Sequence, residues 1–86
     1  MTRFPAEVLC AVDHALILAP DSAVTTLDAY SAMQAACYDL GYSGIPLGAF
    51  NRLVLSLGVK RRTRILRSGQ RRDIYRGLAI RPMYAP

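Results

Sequence analysis

At 86 residues the chain suffices for one domain, near the lower end of what buries a self-sufficient core, and a second domain does not fit. An apolar share of 52%, with five Tyr, two Phe and no low-complexity run, excludes the disordered class; Asp13, His14 and Asp21 interrupt the apolar N-terminal region and argue against a membrane span. The net charge of +5 is divided: residues 1–50 hold Arg3 against Glu7, Asp13, Asp21, Asp28 and Asp39, a net of −4, whereas residues 51–86 hold ten bases against Asp73, a net of +9.

The elements predicted in chain order are three helices and a hairpin, within a single domain spanning residues 1–86. Pro5 suits a first helical turn, and Val8, Leu9, Val12 and Leu16 recur at helical spacing, so a helix is expected over about 5–19, ended by Pro20 and Asp21. Ala23-Val24-Thr25 is expected at most to pair as a brief strand with a later sheet. Thr25 or Thr26 reads as an N-cap with Asp28 at the positive helix end, opening a second helix over about 26–40. Leu27, Tyr30, Met33, Cys37 and Leu40 form its apolar stripe, and Gly41 stands where a left-handed cap is expected. After the turn at Tyr42–Pro46, Phe50, Leu53, Val54 and Leu57 line one face of a third helix over about 47–57, stopped by Gly58. Two strands, about 59–67 and 71–80, then flank Ser68-Gly69-Gln70 as a hairpin. The inward face of its second strand is ambiguous, with Leu78 and Ile80 expected inside. Pro82 and Pro86 bracket a tail that does not extend the sheet. This order predicts an α+β fold of the winged helix-turn-helix type, the hairpin being the wing.

Ten of the eleven bases are Arg, whose planar fork matches phosphate oxygens and guanine edges. Eight bases fall within the seventeen residues from Lys60 to Arg76, too many for a merely guarded edge strand. A polyanionic partner is therefore expected. On the third helix the inward positions leave Gly48, Asn51, Arg52, Leu55 and Ser56 outward; Asn51 and Arg52 are the candidate base readers, with Ser56 beside them. Lys60, Arg61, Arg62, Arg64, Arg67, Gln70, Arg71, Arg72 and Arg76 are the candidate hairpin contacts, shared between phosphates and solvent because strand side chains alternate. Arg67, Arg71 and Arg72 flank the tip, where a wing enters a minor groove.

No catalytic chemistry is expected. His14 is the only histidine, no Ser or Cys is placed with it and an acid as a triad, and the carboxylates are too scattered for a two-metal centre. Gly41-x-x-Gly44 lacks the Lys-Ser/Thr ending of a phosphate loop. Cys10 and Cys37 fit no zinc spacing and are expected as buried thiols. With Glu7 and Asp13 in the apolar N-terminal region, no secretory signal is expected, and the expected location is cytoplasmic. Neither cofactor, metal nor small-molecule substrate is expected.

Leu27-x-x-Tyr30, Cys37-Tyr38-Asp39-Leu40-Gly41, Ile45-Pro46, Phe50-x-x-Leu53, Leu57-Gly58, the bases from Arg61 to Arg64, Gly69-Gln70-Arg71-Arg72 and Tyr75-Arg76-Gly77-Leu78 follow one another in an order that resembles a known family. It is the winged-helix domain at the C-terminal end of primase-helicases from satellite phages, related mobile elements and poxviruses. The resemblance covers about residues 24–80 and implies binding to duplex DNA, often at a replication origin, by the third helix and the wing. Leu47 and Gly48 depart from it, since the family tends to place a capping residue after the Pro. The primase and ATPase modules are not among these residues, so the expectation is a replication accessory, an excised fragment or a repressor.

The function expected is sequence-specific binding of double-stranded DNA in phage or plasmid replication or transcription regulation. The alternative is a protein-interaction module or inhibitor whose basic face captures an acidic partner, and structured RNA stays open as a third ligand. A homodimer is a further candidate assembly, with Phe4, Val8 and Leu9 as its apolar contacts.

Overall fold

A computed structural model describes residues 4–85, and three helices and a three-stranded antiparallel sheet make an α+β fold. Helix α1 (Ala6–Ala15) begins after Pro5, whose carbonyl accepts from Val8 and Leu9, so the proline closes the first turn without needing a donor of its own. It ends four residues earlier than the apolar spacing predicts. From Leu16 the chain is extended, and β1 (Leu16–Thr25) pairs with a strand about sixty residues later in sequence. Leu16 and Leu18 favour helix and only Ile17 is intermediate, so pairing with a distant strand overrides the local preference. The brief strand expected at 23–25 exists as the end of this longer one.

Helix α2 (Thr26–Asp39) is capped as expected: the Thr25 hydroxyl accepts from the Asp28 backbone N–H at 3.2 Å. At its other end Gly41 takes a φ of 73°, while Tyr42 N–H donates to Cys37 O at 2.8 Å and Gly41 N–H to Tyr38 O at 3.1 Å. That bond pair is a Schellman closure, which needs a residue free of Cβ strain at position 41. Helix α3 (Leu47–Ser56) follows, and β2 (Lys60–Ile65) and β3 (Arg71–Ile80) form the hairpin. Strand β2 is shorter than the predicted 59–67, because Val59 is buried below the sheet and Leu66 already belongs to the turn, its N–H donating to Gln70 O.

The sheet order is β1-β3-β2, so the last strand is central. Pairing of β1 with β3 runs Leu16↔Ile80, Ile17↔Ala79 and Leu18↔Leu78, then resumes at Ala23↔Arg76 and Val24↔Tyr75. Residues 19–22 therefore stand opposite Gly77 alone, whose φ is 93°. Strict alternation would put Tyr75 and Leu78 on opposite faces, yet both are fully buried. The irregularity at Gly77 reverses the parity of the strand and turns both into one core. The ambiguity in the sequence is resolved this way: Tyr75 and Leu78 are inside, and Ile80 is half-buried.

The core joins Val8, Ala11, Val12 and Ala15 of α1, Ala29, Ala32, Met33, Ala36 and Cys37 of α2, and Phe50, Leu53 and Val54 of α3 to Leu16, Val59, Tyr75 and Leu78. Alanines dominate the α1–α2 contact and let the two backbones approach closely. Phe50 sits between Tyr30 and Tyr75, with ring centroids 5.5 and 6.1 Å away at tilted and edge-on angles, the favourable arrangements for ring quadrupoles. Three expected core positions lie outside it: Leu57 is 43% exposed beyond the end of α3, Leu27 is 64% exposed, and Cys10 is exposed on the side of α1 away from Val8 and Val12. Cys37 is buried beside Met33, and burial pushes its thiol above the ordinary range. A short 3-10 turn, Pro82–Tyr84, ends the described chain; Arg81 N–H donates to Ala15 O, and the Tyr84 hydroxyl to Asp39. Pro86 lies outside the described residues.

Candidate nucleic-acid interface

Two contiguous depressions, about 500 and 220 Å³, share Thr26, Leu47 and Arg61 and form one open groove. One wall is made by the first turns of α2 (Thr26, Leu27, Asp28) and α3 (Leu47, Gly48, Asn51); the other is the hairpin, with Arg61, Arg71, Arg72 and Asp73. Both helices bring their N-terminal ends to this groove; that of α2 is capped by Thr25 and carries the Asp28 carboxylate, so the partial positive charge left to reinforce the arginines opposite is that of α3. No side chain caps α3: Pro46 precedes it, and the leading amides of Leu47, Gly48 and Ala49 have no capping acceptor. Position 48 is open as well, since a Cβ built on it meets nothing within 4 Å. Uncapped amides beside cations suit an anion such as a phosphate.

Asn51 is half-buried and held in place. The hydroxyl of buried Tyr75 donates to its Oδ1 at 2.9 Å, which leaves the amide nitrogen and the second lone pair of Oδ1 for an outside partner. Arg52 is exposed on the next position around the helix. The Ser56 hydroxyl donates back to Leu53 O, so its proton is spent within α3 and only its lone pairs face outward.

The hairpin register sorts the cations. Arg61↔Tyr75, Thr63↔Asp73 and Ile65↔Arg71 share the face turned to the helices, because Tyr75 packs on Phe50. Lys60↔Arg76, Arg62↔Ile74 and Arg64↔Arg72 share the other face. Arg61 is not free: it forms an ion pair with Asp73, whose carboxylate also accepts from the Thr63 hydroxyl at 2.9 Å. Those two hydrogen bonds, Thr63 first, hold the Asp73 carboxyl below the usual carboxylate range. Burial raises the Tyr75 hydroxyl, with Arg61 opposing and Asp73 assisting, so it stays a donor to Asn51. Arg67 and Gln70 are exposed in the turn, and Arg72 sits at its edge, reaching the groove although its register is that of the other face.

The twelve candidate residues thus fall into three groups. Asn51, Arg61, Arg71 and Arg72 are brought together around the groove; Arg52 and Ser56 lie on α3, and Arg67 and Gln70 in the hairpin turn, outside its lining; Lys60, Arg62 and Arg76 line a separate depression behind the sheet, on the face that Arg64 shares by register. The sequence marks the missing cap of α3 by Leu47-Gly48 after Pro46, although no ligand is expected there on that ground, and sequence reasoning missed Tyr75 as the positioner of Asn51, which has no local signal. Among the described residues no group of His, Cys, Asp and Glu is arranged to hold a metal ion, and no helix is long and apolar enough to cross a membrane. No protein-family model matches this chain, and no curated protein matches it.

Proposed function

We propose that this chain binds double-stranded DNA as a winged helix, with α3 entering the major groove and the β2–β3 hairpin following the phosphate backbone into the adjacent minor groove. The observation that carries the reading is the shared groove: the uncapped start of α3, the oriented amide of Asn51 and the hairpin arginines open onto one surface. Element order and sheet order, α1-β1-α2-α3-β2-β3 with β3 between β1 and β2, are compatible with a winged-helix-like arrangement and support the reading. In this reading Arg71, Arg72 and the α3 amides take phosphates, and Asn51 and Arg52 read base edges. The biological setting that goes with it is phage or plasmid replication or transcription regulation, in keeping with the family resemblance.

The test is a titration of random-sequence duplex, single-stranded DNA and structured RNA at several salt concentrations. Duplex binding is expected to weaken with salt at a slope of about −0.9 per phosphate contact. Replacing Arg71 and Arg72 together by Ala weakens all duplexes and lowers the slope by about two, whereas Asn51→Ala or Arg52→Ala costs ~1–3 kcal/mol on a selected site and little elsewhere. Unchanged affinity in the paired arginine variant overturns the reading. A second reading, a protein-interaction module, is favoured by a 210 Å³ largely apolar groove lined by Leu9, Val12, Leu16, Leu18, Leu53, Leu57 and Leu78, with Asp13 as its one charged residue; binding to none of the three nucleic acids, with capture of a protein partner, selects it.

A further inference from the structure

Behind the sheet, on the face turned from the helices, Lys60, Arg62 and Arg76 surround a shallow depression of about 380 Å³ with Pro20, Gly58 and Gly77. Among the described residues no carboxylate lines it. The acid of the basic half, Asp73, is committed to Arg61 on the opposite face, and the nearest acid in sequence, Asp21, does not reach the depression. Lys60 stands directly across from Arg76, and a little further along Arg64 stands across from Arg72. Directly opposed like charges destabilise a strand pair. The Lys60–Arg76 pair, with the neutralising acid turned away, is a cost to the isolated protein that a bound polyanion removes, whereas Arg72 reaches from its pair with Arg64 into the α3 groove.

We propose that this face is a second DNA-phosphate site, so that one molecule engages two duplex segments at once, one at the α3 groove and one behind the sheet. The inference rests on the duplex binding proposed above. Lys60, Arg62 and Arg64 follow one another at two-residue steps of about 6.6 Å, a row of about 13 Å. Over that length a duplex strand presents about four phosphates, at roughly 3.4 Å of axis each. An acidic peptide fits less well, because apart from Pro20 the depression has no aliphatic or aromatic wall to hold a peptide anchor. The sheet lies between the two cation sets, so a duplex seated in the α3 groove leaves this face open.

The experiment uses the full chain and two 30-base-pair duplexes, one immobilised and one fluorescent, each first titrated alone by anisotropy. The wild-type protein is expected to retain the fluorescent duplex on the immobilised one, and Lys60→Ala/Arg62→Ala/Arg76→Ala to lose retention at least tenfold while losing far less single-duplex affinity. All three side chains are exposed, and the variant is expected to melt no lower than the wild type because opposed charges are removed. A second variant, Lys60→Gln/Arg76→Gln, keeps side-chain length and is expected to lose retention likewise. Retention that survives both variants, as when a dimer bridges through two α3 grooves, overturns the proposal, as does single-duplex binding by the wild type without retention. Absence of single-duplex binding overturns the α3 reading as well, which separates the two failures.

Discussion

Asp73 shows how one side chain sets the charge of a surface. Thr63 and Arg61 both donate to its carboxylate, and its folded pKa lies below the ordinary value of about 3.9. A depressed carboxyl contributes stability that is present above the unfolded pKa and is lost as pH falls through the folded one. The melting temperature of the wild type is therefore expected to drop on acidification below about pH 4, and the gap between wild type and Asp73→Asn to close there; thermal melts across pH 2–7 measure it. The same substitution releases Arg61 into the groove. At neutral pH, Asp73→Asn is expected to bind random duplex severalfold more tightly, with a salt slope steeper by about one. Weaker binding instead means that the ion pair positions Arg61 for its phosphate.

Among the elements, β3 carries the most consequence, since it pairs with both other strands and supplies Tyr75 and Leu78 to the core. Gly77 makes this possible. Its φ of 93° is one that side-chain-bearing residues rarely adopt, although a Cβ there would meet nothing within 4 Å, so the penalty for a substitution is backbone strain and not collision. Gly77→Ala is expected to cost ~1–3 kcal/mol, which at roughly 4–8 °C per kcal/mol lowers the melting temperature by about ten degrees. Gly48→Ala, on α3 in equally open space and without a positive φ, is the control that calorimetry should find near wild type. Equal melting of the two variants argues that Gly77 is not a strained position.

At the scale of the whole molecule, the helices and the sheet share one core, and a chain of aromatic rings runs through it. The Phe50 ring packs against both Tyr30 of α2 and Tyr75 of β3, and the Tyr30 hydroxyl in turn donates to Ile45 O at 2.6 Å, fixing the turn that leads into α3. Phe50→Ala removes about 3–5 kcal/mol, a large part of the 5–15 kcal/mol that holds a domain of ordinary stability. Urea unfolding is expected to show a midpoint lowered by half or more, and any surviving folded fraction to bind duplex poorly because α3 is no longer seated against Tyr75. A midpoint close to wild type means that the surrounding side chains collapse into the space.

Much was legible from residue order alone. The Thr25 cap, the Gly41 closure and the turn of the hairpin all rest on contacts within a few residues, and each is where local chemistry puts it, whereas of the expected α2 stripe only Met33 and Cys37 are fully buried and Leu27 is exposed. The concentration of ten bases in residues 51–86 is likewise a property of sequence, and no folding changes it. Tertiary structure decided the rest, because partners far apart in sequence compete with local preference. Pairing with β3 converts Leu16–Ala19 from the expected helix into strand, and the irregularity at Gly77 decides which residues of β3 face inward. It also decides which cations meet: strand register assigns Arg61 to Asp73, Arg71 to the α3 groove, and Lys60, Arg62 and Arg76 to a separate face, while Arg72 reaches the groove from the hairpin edge, a division that no spacing within a single strand expresses.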